Sequence, residues 1–336
     1  MKQYSLAIIG ALGHLHYVLQ SPGFSRCQVI GMAPGLRFDE EEQRLIQKRA
    51  QLHPDWTVFT DCRQMLETTH PDIVVVNSIF ADNCELALLV LKAGAHVLCE
   101  KPLTTEPESL PLLRQAMLTA KTGGQHLAGV FGLRYDPAVY TLLQTVSAGK
   151  IGQIVMINAQ KSYKMGARHP LYRQRQTYGG TIPWVAIHAI DWICRLVGNT
   201  LKQVQAIQTC SCNADNGDLE SGALCIFTLK NGAIASVNAD LLRPESAQTH
   251  GDDRIRVVGS AGTVEMQNGK VFLTDATGCS QLSLLTPSDL FSDFLQQIES
   301  GCTGSWPDDL YVTHAALCAR QAADTGLPVD IPPYQP

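Results

Sequence analysis

Four short apolar runs, set apart by helix-forming segments, constrain this chain more than any other feature. They are Leu6-Ala7-Ile8-Ile9, Cys27-Gln28-Val29-Ile30-Gly31-Met32, Asp72-Ile73-Val74-Val75-Val76 and His96-Val97-Leu98-Cys99. The third is continuously β-branched, the pattern of a strand buried on both faces of a parallel sheet. Between and after these runs, residues 40–52, 62–68, 83–93 and 107–121 read as helices, and 125–131 as a last strand. Strands alternating with helices predict a doubly wound α/β sheet.

The first run ends in Gly10-Ala11-Leu12-Gly13-His14-Leu15, followed by a helix to Gln20. A strand, a glycine turn and a helix start can receive a dinucleotide pyrophosphate, because backbone approaches closely and the helix offers free amides. Gly10, Leu12, Gly13 and His14 are therefore cofactor-binding candidates. A strict G-x-G-x-x-G would need glycine at Leu12 and Leu15, and a strand–turn–helix without ligand would look similar. The second strand runs into Ala33-Pro34-Gly35, with no acid before Asp39. An NAD site usually ends this strand with a carboxylate for the ribose 2′-hydroxyl. Its loss and the nearby Arg37 tilt the expectation toward NADP, the alternative being a solvated loop charge. Ser78, just past the third run, joins the cofactor-binding candidates.

The fourth run stops at Glu100-Lys101-Pro102. Open α/β sheets bind ligands at the carboxyl ends of their strands, and proline restricts the residue before it. By position alone, Lys101 is either a catalytic group or a solvated strand-end charge. The second half carries near-consecutive strands at 154–157, 204–207, 223–227, 233–237, 254–258 and 263–266, with helices at 290–299 and 311–325. Asn231-Gly232 and Asn268-Gly269 are strong hairpin turns. These features predict an open, mostly antiparallel sheet in an α+β domain. Two domains are expected, 1–125 and 126–336.

Composition excludes several classes. With 336 residues, 45% hydrophobic, and a net charge of -5, the chain is not a general binder of nucleic acid or anionic membrane. No apolar run is long enough to span a bilayer. Met1-Lys2-Gln3-Tyr4 enters a strand directly, without the apolar region of a signal peptide, so a cytoplasmic protein is expected. The eleven cysteines are scattered without zinc spacing, which reads as reduced thiols and no metal site.

At Lys101 a resemblance becomes specific. The chain resembles the glucose–fructose oxidoreductase, inositol dehydrogenase and rhizopine-catabolism (Gfo/Idh/MocA) family along nearly its whole length. The marks are Ile8-Ile9-Gly10, Glu85-Leu86-Ala87, Gly94-Ala95-His96 through Glu100-Lys101-Pro102, Arg134-Tyr135-Asp136-Pro137, Gly149-Lys150-Ile151-Gly152, and Gly179-Gly180 followed by His188 and Asp191. The resemblance implies an N-terminal Rossmann domain, and a C-terminal domain whose sheet covers the nicotinamide and often forms the face of a homo-oligomer (dimer or tetramer). It implies that Lys101 contacts substrate, with Glu100 and Lys101 near the cofactor, and that His188 stands close to the substrate hydroxyl. Histidine can take and return a proton near neutral pH; the plainer reading is a histidine satisfied within a buried helix. The sequence departs from the family at Trp184, where an aspartate is common, at Ala186 and Gly132, and at Asn83, where histidine is frequent. Trp184 could wall the pocket, and Asp191 reads as a structural acceptor.

Between Asp136 and Asp191 there is no acidic residue, while Lys150, Lys161, Lys164, Arg168, Arg173 and Arg175 all fall there. Such a patch suits an anionic substrate such as a sugar acid, or is a solvated loop. The substrate-binding candidates are thus Lys101, Lys161, Arg168, Arg173, Trp184 and His188. The expected function is an NAD(P)-dependent oxidoreductase acting on a hydroxyl-bearing carbon of a sugar, cyclitol or sugar acid. The alternative is a dinucleotide- or sugar-binding regulatory protein without turnover.

Overall fold

A computed structural model describes residues 2–302 and 304–332; Met1 and 333–336, at the outer limits of the two expected domains, lie outside the described residues. The chain divides into two units. One runs to Gly132 and takes in Ser288–Leu310; the other comprises Leu133–Pro287 and the chain from Tyr311 onward. The chain thus passes between units three times, where the sequence suggests one cut after residue 125.

The first unit holds a parallel sheet of β1 (Tyr4–Ile9), β2 (Cys27–Ala33), β3 (Ile73–Val76), β4 (His96–Cys99) and β5 (Leu127–Gly129), in the order β2-β1-β3-β4-β5. Every residue of β3 is fully buried, as its β-branched run requires. Beyond β2 the Met32 N–H donates to the Thr57 carbonyl and the Phe59 N–H to the Met32 carbonyl, both at 2.8 Å. This parallel bridge of Met32 with Val58 adds a minimal sixth strand. The order reverses between β1 and β3, and the crevice above such a reversal is the ligand position of doubly wound folds. The helices start on carboxylate caps: Asp39 accepts the Glu42 N–H before Glu40–Leu52, and Asp61 accepts the Arg63 N–H before Cys62–Thr69. The returning segment is tied down at the sheet edge, where Asp309 accepts the Gly129 N–H of β5 at 2.7 Å.

The second unit holds β6 (Ile154–Lys164), β7 (Leu201–Thr209), β8 (Gly222–Leu229), β9 (Ile234–Arg243), β10 (Gly251–Gly259), β11 (Gly262–Gln267), β12 (Lys270–Asp275), β13 (Gly278–Leu282) and β14 (Val329–Asp330). Their order is β13-β12-β11-β10-β6-β9-β8-β7-β14. All neighbours pair antiparallel except β6 with β9. Asn268 and Gly269, at φ 53 and 69, make the two-residue hairpin between β11 and β12. β13 has no counterpart in the sequence reading, because its residues are nearly all exposed and show no apolar alternation. The helix Pro137–Ser147 was likewise not anticipated; Asp136 caps it through the Ala138 and Val139 amides, with proline at its first position. The expected helix after Thr181 begins as a π-helical segment, Ile182–Ala186, and becomes α-helical over Ile187–Val197.

Candidate active site

In the first unit, the turn after β1 is built as the sequence suggests, with Gly10 at φ 81, a left-handed conformation that glycine adopts without strain. A Cβ on Gly10 would lie 2.6 Å from the Asn77 carbonyl oxygen, and one on Gly13 would lie 2.5 Å from Asn77 Oδ1 and 2.7 Å from Glu100 Oε2. Two expectations change here. The following helix, His16–Leu19, is a single turn, so its dipole adds little to anion binding. Two of the turn's amides are also committed, since Leu12 N–H donates to the Asn77 carbonyl at 2.8 Å and His14 N–H to Glu100 Oε2 at 3.0 Å.

Glu100 is fully buried and also meets His14 Nδ1 at 3.0 Å. Burial alone would raise its carboxyl, but the charges of His14 and Lys101 and the hydrogen bonds from His14 pull it below the ordinary glutamate value. Lys101, at the carboxyl end of β4, is 1% exposed. It is therefore not a solvated strand-end charge. The segment that carries it is held by Asn83, whose Nδ2 donates to the carbonyls of Glu100 and Pro102, each at 2.8 Å. Gly132 sits against Tyr17, whose ring a Cβ would meet at 2.0 Å. That contact leaves no room for the asparagine common in the family.

Arg37 does not stand free for a 2′-phosphate. Its Nε lies 2.8 Å from Asp82 Oδ1, with Asp82 buried and Arg37 half exposed. A residue the sequence reading passed over lies instead at the crevice. Glu42, fully buried, accepts the Gly35 N–H at 2.9 Å. Burial pushes its carboxyl above the ordinary range. Glu42 Oε1, Ser78 Oγ and the side-chain amide of Asn77 are buried without a hydrogen-bond partner of proper geometry. Buried polar atoms in native proteins nearly always have partners. Three orphans gathered at the Gly10 turn fit a polar ligand with hydroxyl groups to share, such as the ribose of a dinucleotide.

In the second unit, His188 is buried on the helix Ile187–Val197, one turn before Asp191. Asp191 accepts hydrogen bonds from Arg134 Nε at 2.9 Å and from its Nη2 at 2.6 Å, which makes it the structural acceptor expected of it. Trp184 is 7% exposed. The Tyr172 ring stacks on it at 4.1 Å, the Tyr178 ring meets it edge-on at 5.9 Å, and the Arg168 guanidinium lies 5.2 Å from its centroid. Trp184 is therefore the centre of an aromatic cluster more than a free pocket wall.

Two of the six cations of the basic stretch pair with acids distant in sequence. Lys161 is fully buried and pairs with Asp253, its cross-strand neighbour on β10. Arg175 pairs with Asp324 at 2.8 Å and Glu220 at 3.5 Å. Lys161 is thus buried inside the unit with its charge paired. Arg168 keeps an unpartnered Nε, while its Nη2 donates to the Lys164 carbonyl at 2.7 Å. Arg173 contributes its carbonyl, which accepts the Asp218 N–H at 2.9 Å. Among the described residues no helix is long and apolar enough to cross a membrane, and no three His, Cys, Asp or Glu side chains gather as metal ligands.

Comparison with known proteins agrees with this architecture. Residues 6–124 match the oxidoreductase family with an NAD-binding Rossmann fold, and residues 139–265 match the GFO/IDH/MocA C-terminal domain. A solved structure from Thermotoga maritima, described as an oxidoreductase, is 38% identical with a TM-score of 0.91, covering 97% of this chain and 100% of that one. The inositol 2-dehydrogenase of Corynebacterium glutamicum (strain R) is 28% identical over 151 residues, which span 45% of this chain and 42% of that protein. Levoglucosan dehydrogenase, solved in complex with NADH and levoglucosan, is 18% identical with a TM-score of 0.83 over 98% of this chain and 100% of that one. At that identity the likeness is one of fold alone. Both halves of the chain, with their glycine turn, their Glu-Lys-Pro segment and their open sheet, place it in the GFO/IDH/MocA oxidoreductase family.

Proposed function

We propose that this chain is an NAD(P)-dependent oxidoreductase acting on a hydroxyl-bearing carbon of a sugar, cyclitol or sugar-acid-like substrate. The observation that carries the reading is Lys101: a buried lysine at the carboxyl end of a central parallel strand, in a segment gripped on both sides by Asn83. The similarity to an inositol 2-dehydrogenase supports the polyol class of substrate. Residues 1–125 would hold the dinucleotide, through Gly10, Leu12, Gly13, His14, Ser78 and Glu100, and 126–336 would supply the substrate side.

When bound, the nicotinamide supplies the hydride acceptor or donor. The chain's residues do the rest. Lys101 holds the substrate oxygen and stabilises negative charge developing on it. His188 accepts the proton of the substrate hydroxyl in oxidation and returns it in reduction. Trp184, packed among tyrosines, stands one turn before His188 where the family commonly has an aspartate. Arg168, with its unpartnered Nε, and Arg173 would bind an anionic group on the substrate.

The nine-stranded sheet turns Ile207, Leu224, Ile226 and Ile234 outward, each between 47% and 64% exposed. A face of this kind suits a homo-oligomer. A cytoplasmic setting accords with a chemistry that draws on the cell's dinucleotide pool.

The test is an assay of the purified chain with NAD and NADP against a panel of cyclitols, sugars and sugar acids, following reduced nucleotide. Turnover of one class, lost in Lys101→Ala, supports the reading. Absence of turnover with every class would contradict it.

A further inference from the structure

We propose that Glu42 supplies, from the helix after β2, the carboxylate that holds the adenosine ribose hydroxyls, and that it makes this chain select NAD(H) over NADP(H). The inference rests on the dinucleotide-binding reading above and adds a residue and a specificity to it.

The end of β2 carries no acid; it runs through Ala33, Pro34 and Gly35. The first acid in the sequence, Asp39, is used in capping the helix Glu40–Leu52, where it accepts the Glu42 N–H at 2.8 Å. Glu42 then sends its side chain back toward the sheet. One oxygen accepts the Gly35 N–H just past β2, and the other lies 2.7 Å from where a Cβ of Gly10 would stand, just past β1. A carboxylate between the ends of β1 and β2, against the first glycine of the turn, is where a strand-end acid would have put one.

That second oxygen has no donor of good geometry although Glu42 is fully buried; the Ser78 hydroxyl and the Ala11 N–H lie near enough to ease the burial of its charge, and the Asn77 side-chain amide beside it is unpartnered. An unsatisfied buried carboxylate oxygen is costly to keep. Ribose hydroxyls would supply the missing donors. A 2′-phosphate at the same place would meet a carboxylate instead, and Arg37, the nearby cation in sequence, is turned to Asp82. The loop 34–37 covers Glu42, with Gly35 packed on Ser78. Arg37 links this loop to the buried Asp82 through both its side chain and its backbone N–H.

The competing role is structural: Glu42 could merely pin Gly35 to the glycine turn. Glu42→Gln separates the two, because the amide oxygen still accepts the Gly35 N–H while the charge is gone. The measurement is the Kd of the full chain for NADH and for NADPH, by calorimetry, in wild type and variant. The expected result is a wild-type preference for NADH that narrows about tenfold or more in Glu42→Gln, mainly through weaker NADH binding. If wild type binds NADH but the variant weakens both nucleotides equally, or neither, this assignment of Glu42 is overturned and the oxidoreductase reading stands. If wild type binds neither nucleotide, both fall.

Discussion

Arg134 grips Asp191 with two nitrogens, Nε at 2.9 Å and Nη2 at 2.6 Å, in a pair whose side chains are 10% and 2% exposed. Asp191 lies one helical turn beyond His188, so this fork fixes the rotation of the helix that presents the imidazole. The pair spans 57 residues of sequence and joins the turn before the helix Pro137–Ser147 to the helix Ile187–Val197.

Removing one partner leaves the other charge buried. Asp191→Ala should cost about 3–5 kcal/mol of stability and lower kcat through misplacement of His188. Chemical denaturation and steady-state kinetics check this; a change below about 1 kcal/mol would mean that the pair is hydrated in solution.

Lys161 gives a prediction in pH. Burial lowers its pKa below the ordinary lysine value, although Asp253 works against that. Between its folded value and about 10.4, the unfolded chain binds more protons than the folded one. Stability therefore rises with pH through that window as far as this group decides it. Lys161→Met should remove the rise, and at neutral pH should cost stability, because it leaves the partly buried Asp253 carboxylate without its partner. Urea unfolding of both proteins across the alkaline range measures it. A substrate-binding Lys161 would instead show itself as a raised KM in Lys161→Met at unchanged stability.

Glu42 behaves in the opposite sense. Its carboxyl is raised by burial, so the folded chain holds the proton more tightly than the unfolded one. That destabilises the fold as pH climbs past about 4.3. Glu42→Gln should therefore gain stability relative to wild type as pH rises from acid to neutral, and thermal melts of the pair at several pH values report it.

Trp184 should prove a packing residue first. Trp184→Ala removes a ring stacked on Tyr172 and approached by Arg168, and should cost about 3–5 kcal/mol. NADH affinity should stay within a few-fold, because the glycine turn belongs to the first unit.

Much of the fold is legible in the sequence because its signals are local. The β-branched run of β3, the Gly10 turn, the proline stop after Lys101 and the Asn268-Gly269 hairpin each act within a few residues of themselves. What sequence order hides are partners brought together by the sheet. Lys161 meets Asp253 across β6 and β10, 92 residues apart, so a stretch free of acids in sequence is not free of them in space. Glu42 reads as one more charge in Glu40-Glu41-Glu42 at a helix start, and only the return of its side chain to Gly35 marks it. The partner of Arg37 is hidden in the same way, since Asp82 reaches it from beyond another strand. The π-helical turn at Ile182–Ala186 has no local sequence signature beyond Pro183.

The central claim is that this chain binds a dinucleotide at the Gly10 crevice and uses Lys101 on a second molecule. Its most direct test is a calorimetric titration of wild type and Lys101→Ala with NADH. The account predicts one saturable site per chain, with a Kd between about 1 μM and 1 mM, unchanged within a few-fold in Lys101→Ala although turnover is abolished. No NADH binding by wild type, with no nucleotide carried through purification, would contradict it.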